Sequence, residues 1–288
     1  MMVDMKQIHG IQLEILKQVA RLSSKHHIKY FMTGGSAIGA VRHQGFIPWD
    51  DDIDIGFTRH DFEKFLRVAP GEFRSTNYFV EENRLNPAYE YDFAKVMFKG
   101  TEILERGREE AKSFNGIFID VFPFDKMPAA KHQQVAQSQA LQAILQEIRR
   151  RFYPDLYPNM SLDPKYVDMT IDQLYKLRLQ IMVKYDRDPS LAYVNLSSPY
   201  KYGKERILPA EMHRFTEMKF ENLRVPVLSA YDSYLTRLYG NYMKLPPVEK
   251  RIQRHILKAS VDDPQELSEN EPDSQIEKHR NGFEAEAS

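Results

Sequence analysis

Apolar residues recur at three- and four-residue intervals from Ile8 through Ile11, Ile15 and Val19 to Leu22, a spacing that predicts a helix over 5–24. A short apolar run over 28–32 predicts a strand. Thr33, Gly34, Gly35 and Ser36 break it, and a helix start is expected over 37–42. Ile53, Ile55 and Phe57 alternate with Asp54 and Gly56, which predicts a strand over 53–57. A helix over 59–68, a strand within 91–99 and another over 117–121 follow. From Ala129 the chain turns Gln- and Ala-rich and helical to about Arg150, then passes through a Pro/Tyr/Asp-rich link over 153–164 into a helix over about 170–184. The remaining expectations are a strand over 220–226 ending at Pro226, an amphipathic helix over 229–239 and a basic helix over 248–257. Strands alternating with helices imply an α/β or α+β fold, here with a helical insertion or lobe over about 129–185.

Composition narrows the class. With 288 residues, 42% of them hydrophobic and 12% aromatic, the chain can bury a sizeable core as one large domain. It has no cysteine, which excludes disulfides, thiolate chemistry and cysteine-ligated zinc. No apolar run nears the roughly eighteen residues of a membrane span, and the first ten residues lack the apolar core of a signal peptide, so the expectation is a soluble, cytoplasmic protein. The net charge of −1 hides an asymmetry. Residues 259–288 carry nine Asp/Glu against two Lys/Arg, so the body over 1–258 is mildly basic. Such a body suits anionic ligands or an anionic membrane face but gives little support to nucleic-acid binding. The acidic tail, poor in large apolar residues, is expected to be disordered and without chemistry.

The chemistry concentrates between Gly34 and Gly56. Asp50, Asp52 and Asp54 recur at every second position, so an extended backbone puts their carboxylates on one face and Ile53 and Ile55 on the other. Like charges that close repel, and a hard divalent cation with oxygen ligands, Mg²⁺ or Mn²⁺, is the natural partner. A calcium-binding EF-hand loop is excluded by spacing, because its sixth position, counted from Asp50, is Ile55 instead of glycine. Gly34, Gly35 and Ser36, between a strand and a helix start, suit an anion cradled by free backbone N–H groups, or else form a plain turn. Arg42 can grip a phosphate or pair with an aspartate. His43 reads better as a hydrogen-bonded structural side chain than as a base. Trp49, the sole tryptophan, suits core packing, or stacking on a base or a cationic head group. The tyrosines at 231, 234, 239 and 242 follow helical spacing and read as packing. Of Asp50 and Asp51, one can orient the site while the other faces water.

The run Gly34-Gly35-Ser36, then Gly39 to Gly56 (GAVRHQGFIPWDDDIDIG), resembles the central motif of the LicD family. Gly116-Ile117-Phe118-Ile119-Asp120-Val121-Phe122-Pro123 is similar to that family's second acidic strand, and the stretch from Tyr239 to Pro247 adds a third, weaker similarity. The resemblance spans roughly residues 10–257. It implies a nucleotidyltransferase-like mixed sheet, with Asp52, Asp54 and Asp120 as catalytic carboxylates and ligands of Mg²⁺ or Mn²⁺, and Asp120 as a further ligand or the general base. Gly34, Gly35, Ser36, Arg42 and Lys95 would hold the donor's phosphates; read on its residues alone, Lys95 faces a pocket or guards a sheet edge. His255 matches a histidine common in the family. The implied reaction moves phosphocholine from CDP-choline, or another alcohol phosphate from its CDP derivative, to a sugar of a surface glycan or its lipid-linked precursor. That would bring the enzyme to the inner membrane face. Two other classes share the aspartates: a nucleotidyltransferase that releases pyrophosphate from an NTP, and a catalytically silent glycan- or metal-binding protein.

Overall fold

The computed structural model describes residues 1–157 and 163–261. In chain order the elements are α1 (Met5–Lys25), β1 (Tyr30–Met32), α2 (Gly34–Ile38), β2 (Asp54–Thr58), α3 (Arg59–Phe73), β3 (Tyr78–Glu81), β4 (Ala94–Phe98), β5 (Thr101–Glu105) and β6 (Phe118–Lys126). They continue with α4 (Lys131–Phe152), α5 (Pro164–Val167), α6 (Ile171–Met182), β7 (Tyr193–Asn195), β8 (Arg206–Ile207), α7 (Pro209–Met212), β9 (Phe215–Phe220), β10 (Leu223–Leu228), α8 (Tyr231–Tyr239) and β11 (Ile256–Val261). This is the expected α+β class, a mixed sheet flanked by helices.

The main sheet runs β1-β2-β6-β4-β3, and β7, itself paired with β8, joins the far half of β6. β2 and β6 are parallel; every other pair is antiparallel. Strand register brings charges into line. Asp54 lies opposite Asp120, Asp120 opposite Lys95, and Lys95 opposite Glu81, so four charged side chains form one transverse row on one face of the sheet. The alternate residues Ile53, Ile55, Ile119, Val121 and Val96 are fully buried and join α1 and α3 in the main core. α1 starts at an Asp4 cap that forms a reciprocal box with Gln7, and turns Ile8, Ile15, Leu16, Val19 and Leu22 into that core. Ile144, Ile148, Phe152, Tyr166, Leu174 and Tyr175 of α4, α5 and α6 make a second, smaller core.

Three sequence expectations are corrected. The helix expected over 37–42 begins at Gly34, with Thr33 as its N-cap, and widens into a π-helical turn over Gly39–His43, so the Gly-Gly-Ser run is the helix's first turn. The strand expected over 220–226 is a hairpin: Glu221, with φ of 54°, and Asn222 turn β9 into β10, which runs on through Pro226 because a two-stranded ribbon has a free edge. The helix expected over 248–257 does not form. After Pro246 and Pro247 there is one 3₁₀ turn, Val248–Lys250, then extended chain and β11, which pairs with β5. Its apolar residues at 248, 252 and 256 imitate a helical stripe, yet Ile256 is buried while Val248 and Ile252 face solvent. β11 also carries Ala259 to Val261 into the fold, beyond the expected boundary at residue 258; the disorder expected for the rest of the tail lies outside the described residues, as does part of the 153–164 link. No helix among the described residues is long and apolar enough to cross a membrane.

Candidate active site

The acidic loop is held from below by α1. His9 Nε2 bonds the Asp50 carbonyl at 2.9 Å, and Gln12 Nε2 donates to the Asp51 carbonyl at 2.9 Å. The hairpin tip braces the loop's start, where Glu221 Oε1 accepts from Phe46 N at 3.0 Å. α2 fixes its end, since Asp54 N donates to Ser36 Oγ at 2.8 Å. Gly34 and Gly35 permit this packing. A Cβ on Gly34, whose φ is +56°, would stand 2.6 Å from Asp54 Oδ2, and one on Gly35 2.5 Å from Asp50 Oδ2.

Carboxylate oxygens of Asp52, Asp54 and Asp120 lie within 4.8 Å of one another. They sit on the floor of a cavity of about 840 Å³. Burial and mutual repulsion push all three upward: Asp52 and Asp120 to about 7, Asp54 well above the usual carboxylate range. Asp50, which lines the same cavity, is pushed up to about 6 by burial and by Asp51. Asp120 Oδ1 is buried with no hydrogen-bond partner.

Lys95 stands beside the cluster. β4 lies between β6 and β3, so the sheet-edge reading of this lysine does not apply. Its Nζ is 2.8 Å from Glu105 Oε1 and 3.7 Å from Asp120 Oδ1, and lies over the Phe118 ring. Glu105 is held in turn by Arg108, and Arg108 by Glu90, which accepts from Tyr153 OH at 2.7 Å. A continuous buried chain of charges therefore runs from Asp120 to the junction of α4 with its following link.

Asp51 does not face water. Only 1% exposed, it accepts backbone N–H bonds from His255 at 2.8 Å and Ile256 at 2.9 Å, and its other oxygen lies 2.7 Å from His255 Nδ1. These bonds outweigh its burial and hold its pKa down to about 2; the same Asp51 bond, with Asp52 at 3.3 Å, raises His255 to about 9. Asp51 thus ties the C-terminal segment to the acidic loop, and its oxygens are committed to that task.

Arg42 lines the cavity, bonded to the Tyr242 carbonyl and, through Nε, to His43 Nδ1 at 3.3 Å. His43 meets Trp49 edge-on, and burial lowers its pKa. Trp49 borders the cavity, with the Arg251 guanidinium 5.5 Å above its ring. Of the four tyrosines, Tyr234 is buried and bonds Thr33 and Glu205, and Tyr231 packs on the core, whereas Tyr239 and Tyr242 line the cavity. The sequence reading missed Glu205, a buried carboxylate facing the cavity, and Lys244, Lys250 and Arg254 on its rim. Lone charges outside a motif carry no periodic signal; only the chain's return to the acidic loop gathers them. The result is an acidic floor, aromatic walls and a basic rim.

Residues 27–147 match the family model described as LicD/FKTN/FKRP, nucleotidyltransferase domain. The chain is 27% identical over 257 residues to the lipopolysaccharide cholinephosphotransferase LicD of Haemophilus influenzae, covering 86% of this chain and 95% of that protein. Over 100 residues it is 30% identical to the human ribitol 5-phosphate transferase FKRP, covering 34% of this chain and 17% of that one.

Proposed function

We propose that this chain, which belongs to the LicD/FKTN/FKRP family, transfers phosphocholine or a related alcohol phosphate from a CDP-activated donor to a sugar hydroxyl of a surface glycan such as teichoic acid, capsule or lipopolysaccharide, releasing CMP. The observation that carries the reading is the Asp52, Asp54 and Asp120 cluster beneath a rim of Arg42, Lys244, Lys250 and Arg254. One relative is named for choline phosphate transfer in lipopolysaccharide and another for ribitol 5-phosphate transfer, which supports a phosphotransferase as the class.

The cluster fits a hard cation. Its donors are carboxylate oxygens, they converge, and Asp120 Oδ1 is a buried acceptor without a donor. Mg²⁺ or Mn²⁺ held by Asp52, Asp54 and Asp120 would neutralise charge on the donor's phosphates. The chain's own groups do the rest. The first turn of α2, at Gly34, Gly35 and Ser36, would present the N–H groups of Gly35 and Ser36 to phosphate oxygens, that of Gly34 being bonded to the Tyr234 hydroxyl; the Ser36 hydroxyl already accepts from Asp54 N. Arg42, which lines the cavity, counters the charge on the departing CMP. The acceptor hydroxyl forms a new O–P bond as the P–O bond to CMP breaks, and Asp120, where Asp52 and Asp54 hold the ion without it, takes the proton on an Oδ1 that has no hydrogen-bond partner. Lys95, pinned between Glu105 and Asp120, keeps that base in place. Positioning and electrostatics supply most of the rate.

Incubation with CDP-choline, CDP-ribitol, CDP-glycerol or CTP, with a glycan acceptor and with or without Mg²⁺, tests the reading. Metal-dependent CMP release from a CDP-alcohol is expected. Pyrophosphate from CTP would instead mark a nucleotidyltransferase, and donor affinity equal in EDTA and in Mg²⁺ would remove the metal from the account.

A further inference from the structure

The segment over 243–258 forms much of the cavity mouth and does something no packing argument explains. Met243, Leu245, Val248, Ile252 and Leu257 are all exposed, Val248 by 73%, within sixteen residues. Scattered singly, exposed apolar residues need no explanation; five within one sixteen-residue segment do. The rim is also built, not frayed. Lys250 N and Arg251 N bond back to Pro247 and Val248 carbonyls, Arg251 Nε donates to the Pro246 carbonyl at 2.9 Å, and Asp51 clamps His255 and Ile256. Interleaved with the apolar side chains are Lys244, Lys250, Arg251, Arg254 and Lys258, against the single acid Glu249. Lys244, Lys250, Arg254 and Lys258 are exposed and form no salt bridge with any described residue.

We infer that this rim is a docking surface for an anionic phospholipid bilayer, with Leu245 and Val248 entering the headgroup boundary and the lysines and Arg254 meeting lipid phosphates. A glycan would leave the aliphatic tips unmatched, whereas a bilayer interface takes aliphatic tips and positive charge at once. Because Lys244, Pro246, Lys250, Ile252 and Arg254 also line the cavity, docking sets its mouth against the membrane, where an acceptor carried on a lipid would present its sugar. The inference stands apart from the donor assignment, since vesicle binding is read without turnover and CMP release enters only as a control.

The test is co-sedimentation of the full chain with vesicles of phosphatidylcholine alone and of phosphatidylcholine with about one-third phosphatidylglycerol. Binding to the anionic vesicles is expected to exceed binding to the neutral ones clearly, and salt is expected to lower the first toward the second, because it screens the charge contribution and leaves the apolar one. Leu245→Glu/Val248→Glu, on side chains that touch neither cavity nor core, is expected to weaken binding by roughly tenfold or more, with the melting temperature and CMP release to a water-soluble acceptor unchanged. Lys258→Gln is expected to weaken it roughly fivefold. Absence of binding, equal binding to neutral vesicles, a double variant that binds like the parent, or a solution dimer that covers the rim while vesicles stay unbound would each overturn the inference.

Discussion

At the scale of single residues the site is a problem of like charges, and charge is where it can be tested. Asp52→Asn and Asp54→Asn each take one carboxylate from the cluster without touching the core, so turnover is expected to fall by about 10² or more while the metal-free melting temperature holds or rises. A variant retaining near-parental turnover would mean the assignment is wrong. The shifts also fix a pH dependence. Asp52 and Asp120, raised to about 7 in the folded chain, bind protons more readily there than when unfolded, so their contribution to stability is present at low pH and lost as pH climbs through 7. His255, raised to about 9, contributes below its ordinary 6.5 and loses that contribution through 9. Asp51, lowered to about 2, contributes above its ordinary 3.8 and loses it only in strong acid. Metal-free protein should therefore melt higher at pH near 5.5 than near 8.5, and Mg²⁺ should restore more at the alkaline end. A thermal-melt series with EDTA and Mg²⁺ reads both; a higher metal-free melting point at alkaline pH would contradict it.

Among elements, the β11–β5 pair and the buried ion pairs between β4 and β5 connect the site to the body. Ala259 is buried against β5, its carbonyl accepts from Val3 N at 3.1 Å, and Val261 N bonds the Met1 carbonyl at 2.8 Å. Ending the chain after Lys258 should thus lower the melting temperature by several degrees, whereas ending it after Val261 keeps these bonds and serves as the comparison. Equal melting points would mean the strand adds nothing. The buried chain Lys95, Glu105, Arg108 and Glu90 predicts a larger loss. Arg108→Met leaves Glu90 and Glu105 without their shared cation, and urea unfolding should register a cost of about 3–5 kcal/mol. Less than about 1 kcal/mol would show that water or a neighbour replaces the guanidinium.

For the molecule as a whole, the cavity combines a charged floor with Tyr91, Phe93, Phe122, Tyr200, Tyr239 and Tyr242 on its walls. Aromatic faces favour a quaternary ammonium over a neutral polyol by about 1–2 kcal/mol when desolvated, so CDP-choline should bind roughly tenfold more tightly than CDP-ribitol or CDP-glycerol. Trp49, with Arg251 across its face, is a poorer candidate for that contact than the sequence suggested. A competition assay ranks the three donors. Preference for a polyol would leave the aspartates in place and transfer the assignment to the other alcohol phosphate named among the relatives.

What the sequence determined by itself was whatever is carried by local period and motif. The α1 stripe, the alternation placing Ile53 and Ile55 opposite Asp54, and the amphipathic α8 were legible because backbone geometry repeats at fixed intervals whatever the chain packs against. Three-dimensional packing decided the rest. Neighbours in sequence could not reveal that Lys95 would sit between Asp120 and Glu105, which depends on β4 lying inside the sheet. Nor could they reveal that Asp51, one of three consecutive aspartates, would turn from solvent to hold His255, 204 residues away. The segment after Pro247 had a helix's apolar spacing but became a strand, because burying Ile256 and Ala259 on β5 satisfies backbone groups that a short, solvated, proline-led helix would leave exposed. Local pattern fixes which way a side chain points along its own element; only the closed fold fixes what it meets there.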